Sequence, residues 1–440
     1  MKKYLLAVLV DNKPGVLTHV SGLISRRAFN IEKMNTPGVE KKICDLIDEL
    51  CSLLPPEKLP IIHLGTDEIR QCTVPLEWYR LWGERVVDNG RILVGWVPGR
   101  QMDIGRGTVW QETWGVKAES EGDATDPCHH PYFDSTDLYY PNHYDPLEMV
   151  GAAAYKQPCP WGPEEKKLGP MLSIWHNDAV DADGDLSVTI PYYMLISAYS
   201  DSYWRGRETD HRDLYGRLPK ADDPRLAAYL DLERRLTAHR DRLTGDLAHG
   251  FPFARQGQVR WRLSDAATGK VVATDIAGAW VQPFHSQFKE NSYFPKNEGK
   301  AILETWIKSP KDQTVGAWID CTSFARSWGR HADGPVPQPG KWNKHDATVE
   351  VNGKAVAAPN WKNAGIKDKV TAHETPIVDE CWWVREPTKI ALKEGWNHVK
   401  LTLPKSNPKK GKWVATFLPV GGKTARPSDL SGLEYSATPR

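Results

Sequence analysis

The 440-residue sequence has no apolar run near the roughly 18–20 residues needed for a membrane-crossing helix. It has no excess of either charge: 57 Lys+Arg stand against 56 Asp+Glu. That balance argues against a nucleic-acid-binding surface, which needs a basic excess to meet phosphates. Seven cysteines, odd in number and widely spaced, give no disulfide framework. Cys128-His129-His130 has no second ligand cluster at zinc spacing and reads as a loop without metal, so neither metal nor cofactor is expected. Disorder is excluded by an ordinary 40% hydrophobic and 26% charged content. Phenylalanine is scarce (9), whereas tryptophan (19) outnumbers tyrosine (15). The amphipathic indole suits packing in β-rich cores, favoured for most of these residues, and also stacking on the apolar faces of sugars. At roughly 150 residues per domain the length fits about two to four domains.

Lys2-Lys3 followed by Tyr4–Val10 imitates the start of a signal peptide. The apolar stretch breaks at Asp11-Asn12-Lys13 without a small-residue cleavage site, so it reads as a strand, and the chain as written is expected in the cytoplasm. A turn at 11–15 leads into helical spacing (Val16, Val20, Leu23, Ile24), and Phe29-Asn30-Ile31 opens a second strand.

The pattern changes near residue 36. Residues 39–54 form an amphipathic helix, and apolar strands are expected at 61–68, 91–97, 107–114, 134–140 and 170–178. Helical or irregular stretches such as 75–89 and 187–204 lie between them. This alternation indicates a parallel sheet covered on its outer side, with polar and aromatic residues at the strands' carboxyl ends, where (β/α)8 barrels build their sites. Residues 223–245 read as a charged helix with a solvated face. Beyond Gly250, segments such as QVRWRLSD, KAILETWIKS and HVKLTLPK alternate polar and apolar residues, which suits a β-sandwich over 251–422 and leaves 423–440 as a loose tail. The fold class is therefore α/β plus all-β, with segments 1–36, 37–250, 251–422 and 423–440.

The candidate chemistry lies in His63-Leu64-Gly65-Thr66-Asp67-Glu68. Adjacent carboxylates at a strand's carboxyl end suit general acid/base work, and Gly65 and Thr66 leave room for a ligand. The competing reading is a helix N-terminus with acids in its first turn. His63 reads either as the residue that orients the pair or as a satisfied core histidine.

Two resemblances follow from these residues. DNKPGVLTHVSGLISRRAFNIEKM resembles the opening of the ACT domain of the acetolactate synthase small subunit over about residues 2–35. That resemblance implies an effector amino acid at Asn12, Gly15 and Val16. IIHLGTDEIR, followed in order by LVGWVPG, VWQETWG, LYYPNHYDP and LSIWHND, resembles the catalytic barrel of glycoside hydrolase family 20, the exo-β-N-acetylhexosaminidases, over roughly 37–422. It implies substrate-assisted catalysis in which the sugar's acetamido oxygen attacks the anomeric carbon, Glu68 is the general acid and later the base, and Asp67 accepts the acetamido N–H. It further implies a pocket walled by Trp96, Trp114 (or Trp110, depending on the register of VWQETW) and Trp175, with Tyr140 on the acetamido oxygen. Asn142 and Asn177 stand where the family keeps acids that grip sugar hydroxyls, which bears on the sugar accepted. In the family the Asp-Glu pair ends the fourth barrel strand. The five strands expected here match strands four to eight of a TIM barrel, and a truncated ACT-like piece stands where strands one to three would be. The chain therefore reads as a fusion of two unrelated pieces.

WNKHDATVEVNGKAV and LKEGWNHVKLTLP resemble galactose-binding-like modules. There Trp342, Trp361, Trp382 and Trp383 read as core residues of a propping domain or as glycan-stacking platforms, with the core favoured. Three function classes follow: a hydrolase of terminal β-linked N-acetylhexosamine, with such glycans as its partners; a non-catalytic glycan-binding protein; and an amino-acid-sensing regulatory subunit.

Overall fold

In this computed structural model the described residues are 38–65, 75–97, 104, 106–113, 130–136, 145–172, 191–207, 209–243, 250–285, 288–321, 335–366, 377–408 and 412–440. The piece read at 1–36 and Cys128 lie outside them. Contacts divide the chain into two compact units, residues up to 133 with 162–167, and 134–161 with 168–440.

The first unit opens on α1 (Val39–Leu53), β1 (Ile61–His63), α2 (Leu76–Asp88), β2 (Ile92–Val97) and β3 (Val109–Thr113). Helix α1 buries Cys44, Ile47 and Cys51, spaced i, i+3 and i+7 on one face. It stops at Leu54, which is extended, because Pro55-Pro56 cannot continue a helix. Buried Arg91, just ahead of β2, donates to the Cys51 and Leu54 carbonyls at 2.9 and 2.7 Å and so satisfies groups that the end of α1 leaves open. Strands β1, β2 and β3 pair in parallel, with Ile62 beside Leu93 and Leu93 beside Val109. These three pack with Tyr79, Trp82 and Val86 of α2 and the buried face of α1. Burying side chains of this size contributes about 1.5–3 kcal/mol each.

Because successive strand residues face opposite sides, the neighbouring positions point away from the helices. His63 pairs with Val94, Val94 with Trp110, and Trp96 with Glu112. His63, Trp96, Trp110 and Glu112 thus share the face opposite the helical layer. The sheet order is β1-β2-β3-β4-β5, where β4 is Tyr132–Asp134 and β5 is Lys167–Pro170. Both begin earlier in the sequence than the expected strands at 134–140 and 170–178; residues 137–140 and 173–178 lie outside the described residues.

In the second unit, α3 (Pro146–Tyr155) packs against α4 (Tyr192–Arg205) and α5 (Leu226–Leu243). All ten α3 residues are buried, and Asp145 caps the helix by accepting the Leu147 N–H at 2.8 Å. Helix α5 has the solvated charged face read for it, with Arg234, His239, Asp241 and Arg242 exposed, and on its other side it buries Tyr229, Leu232 and Leu236 together with the polar Glu233, Thr237 and Arg240. Those polar groups have partners: Glu233 accepts the Gln256 and Gly257 N–H groups, and Arg240 donates to the Phe253 carbonyl.

The remainder is antiparallel β-structure in two sheets. One is ordered β12-β11-β14-β9-β6-β7, with β17 on β9; the other is ordered β13-β10-β15-β16, with β8 on β15. The strands are β6 (Arg260–Asp265), β7 (Val271–Ala277), β8 (Trp280–Phe284), β9 (Gly299–Ser309), β10 (Gln313–Asp320), β11 (Thr348–Val351), β12 (Lys354–Ala355), β13 (Thr388–Leu392), β14 (Gly395–Lys405), β15 (Trp413–Lys423), β16 (Arg426–Ser428) and β17 (Glu434–Ser436). From Trp396 onward strand β14 alternates between half-buried and buried positions, the signature of a sheet with one face in the core.

Residues 423–440 correct the expectation of a loose tail. β16 pairs with β15, β17 pairs with β9, and Thr424, Leu433 and Ala437 are buried. The glycan-stacking alternative for the sandwich tryptophans is also corrected. Trp342, Trp361 and Trp382 are buried, and Trp383 packs against the core. The indole N–H groups of Trp342 and Trp361 are taken up by the Val356 and Lys341 carbonyls at 3.1 and 2.8 Å.

Candidate functional site

The first unit gathers polar and aromatic side chains at the carboxyl end of its parallel strands, the edge where open and closed α/β sheets place their sites. His63 is the last residue of β1. The ladder continues past it, since Leu64 N donates to Val94 O at 2.9 Å and Trp96 N donates to Gly65 O at 2.8 Å. Gly65 then turns the chain at φ +76°, in the left-handed region that glycine tolerates, with open space where a Cβ would sit.

The His63 imidazole is fixed from two sides. Its Nδ1 accepts the Gly65 N–H at 2.9 Å, and its Nε2 lies 3.3 Å from Glu112 Oε2. Its ring centre is 5.3 Å from that of Trp96. Glu112 is only 4% exposed, and its β3 neighbours Gln111 and Thr113 are buried too. A carboxylate buried in a strand costs free energy unless it is paired, so this cluster of buried polar groups at one sheet edge has the character of a site. Trp110, on the same face, meets Phe133 edge-on at 5.8 Å.

Of the residues expected at the site, the structure brings His63 and Trp96 together. Trp110 lies in β3, paired with Val94, one step deeper in the sheet than the Trp96–Glu112 pair. Asp67, Glu68, Trp114, Tyr140, Asn142, Trp175 and Asn177 lie outside the described residues. Glu112 is the residue that sequence reasoning missed. Its signal was present in VWQETW, where a carboxylate and two further polar residues sit between tryptophans in a strand. Among the described residues, no group of three or more His, Cys, Asp or Glu side chains is placed to hold a metal ion.

The second unit holds its own buried polar groups. Asp134, at the end of β4, is fully buried. Its carboxylate accepts the Thr136 N–H at 2.9 Å, the Thr136 hydroxyl at 2.5 Å and the Cys159 N–H at 3.0 Å. Cys159 sits at φ 49°, a costly conformation for a side-chain-bearing residue, and this hydrogen bond helps to hold it. Burial pushes Asp145 up to about 6, despite hydrogen bonds from Trp382 and Leu147. It pushes Asp320 up to about 7 against the pull of Arg385. Glu148 is different. Burial acts to raise it, but Lys412 and His285 together hold it below its ordinary value. His285 Nδ1 accepts the Phe288 N–H, so the neutral ring carries its proton on Nε2, 2.8 Å from Glu148 Oε1.

Residues 6–44 match the model of the AHAS small subunit-like ACT domain. The match runs into α1, where residues 39–44 are helical. The chain is 54% identical over 39 residues to a probable acetolactate synthase small subunit from Archaeoglobus fulgidus. It is 51% identical over 41 residues to the acetolactate synthase small subunit of Mycobacterium bovis. Each alignment takes in 9% of this chain and 24% of the relative, so the chain spans about a quarter of the length of the curated relatives it matches. A crystal structure of a glycoside hydrolase family 20 exo-β-N-acetylglucosaminidase from Vibrio harveyi, in complex with N-acetylglucosamine, aligns at 15% identity with a TM-score of 0.31. That alignment covers 46% of this chain and 35% of the other.

Proposed function

We propose that the chain is a glycoside hydrolase that removes terminal β-linked N-acetylhexosamine. In this reading β1–β5 are strands four to eight of a (β/α)8 barrel, and the sandwich is a galactose-binding-like module. The observation that carries it is His63. It ends β1 at the carboxyl edge of a parallel sheet, on the face shared with Trp96 and Trp110, and Asp67-Glu68 follows it within five residues. Glu68 protonates the leaving oxygen and later activates water. Asp67 accepts the acetamido N–H and stabilises the charge that develops as the acetamido oxygen closes on the anomeric carbon. Trp96, with Trp114 (or Trp110) and Trp175, supplies apolar walls, which raise the pKa of a carboxylic acid placed beside them. Tyr140 touches the acetamido oxygen, and Asn142 replaces an acid that would grip a sugar hydroxyl.

Such chemistry makes the 2-acetamido group part of the catalyst. The test is to compare aryl N-acetyl-β-glucosaminide with the matching aryl β-glucoside. Turnover of the first and at least about 100-fold less of the second supports the reading, since the glucoside lacks the acetamido group whose well-placed intramolecular attack the mechanism uses. Equal turnover of both contradicts it.

The match over residues 6–44 favours a second reading, an amino-acid-sensing regulatory piece. Calorimetry with branched-chain amino acids tests it, and an absence of binding heat removes it.

A further inference from the structure

We propose that Glu112 is a positioning residue that locks the His63 imidazole in one tautomer and thereby sets the turn at Gly65; its effect on catalysis rests on the glycosidase reading above. Four residues close a ring at the edge of three strands. Gly65 N donates to His63 Nδ1 at 2.9 Å. Gly65 O accepts from Trp96 N at 2.8 Å. Trp96 stands beside Glu112 in the β2–β3 register. Glu112 Oε2 faces His63 Nε2 at 3.3 Å, which completes the circuit.

The proton logic has one consistent solution. A nitrogen that accepts the Gly65 N–H carries no proton, so the neutral ring carries its proton on Nε2, toward the carboxylate. Were the proton on Nδ1, it would oppose the Gly65 N–H and the turn would lose its hydrogen bond. An ionised Glu112 presents only negative charge to Nε2, 3.3 Å away, so it electrostatically favours the form with the proton there. The Gly65 N–H and Glu112 act on opposite nitrogens of the same ring, and both favour the Nε2–H form. Partners that fix the tautomer of a metal-bound histidine typically matter by about 10- to 100-fold in activity, and the same order is expected for this pair.

The test uses the full chain with Glu112→Met, which removes the acceptor, and Glu112→Gln, which keeps one. Long-range proton–nitrogen correlation spectra of the nitrogen-labelled chain report each histidine's tautomer, with His63 assigned by its disappearance in His63→Gln. The expected result is the Nε2–H form in the wild type and in Glu112→Gln, and a shift toward a tautomer mixture in Glu112→Met. On aryl N-acetyl-β-glucosaminide, kcat falls about 10- to 100-fold in Glu112→Met with KM within about twofold, and Glu112→Gln recovers most of it. An unshifted tautomer in a folded Glu112→Met chain overturns the proposal. So does a Gln variant as impaired as the Met variant. If the wild-type chain turns over no hexosaminide, the glycosidase reading fails by itself, and the spectra still decide the pairing of Glu112 with His63.

Discussion

The Trp382 indole N–H donates to the Asp145 carboxylate at 2.9 Å, joining residues 237 positions apart inside the second unit. Asp145 is also the cap of α3, accepting from Leu147 N. The Trp382 backbone N–H in turn donates to Asp320 at 3.0 Å, and Arg385 lies 3.8 Å from the same Asp320 oxygen. The indole is sandwiched in the core, 4.6 Å from Trp318 and 5.5 Å from Trp383 between ring centres. A tryptophan that reads in sequence as a possible sugar platform is thus the bolt between a helix start and the β-structure.

Trp382→Phe keeps most of the ring and removes the donor. The Asp145 oxygen then retains only Thr416, at 3.4 Å. The expected loss of stability is about 1–3 kcal/mol, the cost of leaving a buried acceptor poorly satisfied. Urea unfolding checks it, and faster hydrogen exchange at Leu147 and Met149 identifies the loosened helix start.

A second fastening lies on the same helix. Glu148 is fully buried with His285 at 2.8 Å and Lys412 at 3.7 Å. Lys412→Met removes the ammonium and leaves the carboxylate with the His285 imidazole as its remaining partner among these three, and the expected cost is about 3–5 kcal/mol. Adding Glu148→Gln to Lys412→Met removes the uncompensated charge. The double variant should recover part of that loss in the same urea titration, a non-additivity that a mere packing defect at residue 412 would not produce.

Stability should fall as pH rises from about 4.5 to 7. Asp145, Asp320 and Glu233 all sit above their ordinary values, at about 6, 7 and 7, chiefly through burial. A carboxyl raised in the folded state holds a proton that the unfolded chain has already released. Its contribution is therefore complete below the unfolded pKa and is lost as pH climbs through the folded one. Each such group steepens the slope by up to about 1.4 kcal/mol per pH unit. Glu148, held below its ordinary value, acts in the opposite sense, and only in more acid solution. Glu233→Gln retains an acceptor for the Gln256 and Gly257 N–H groups, so unfolding curves at pH 5 and pH 7 should differ less for it than for the wild type.

Much of this architecture was legible because its local signals agree. The apolar strands at 61, 92 and 109 are bounded by turn residues, and the Pro55-Pro56 break ends α1. Trp96 and His63 were picked out because aromatic and basic residues are conspicuous at the ends of apolar strands. Glu112 was not, since its meaning depends on a register that brings it beside Trp96 and within reach of a side chain two strands away. Helix α3 was missed because PLEMVGAAAY is buried on every side and shows no amphipathic period. Strands β16 and β17 escaped because three residues among glycines and prolines carry no alternation to read. The fastening of Asp145 to Trp382 and of Glu148 to His285 joins positions 237 and 137 residues apart, and no local pattern reports such a pairing.

The central claim is that Glu68 is the acid and base of a substrate-assisted glycosidase. The most direct measurement is chromophore release from an aryl N-acetyl-β-glucosaminide by the purified chain beside its Glu68→Gln variant, with folding of both checked by circular dichroism. The account predicts turnover by the wild type and a loss of at least about 10²-fold in the variant. Equal rates from both chains, or a folded wild-type chain with no turnover, would contradict it.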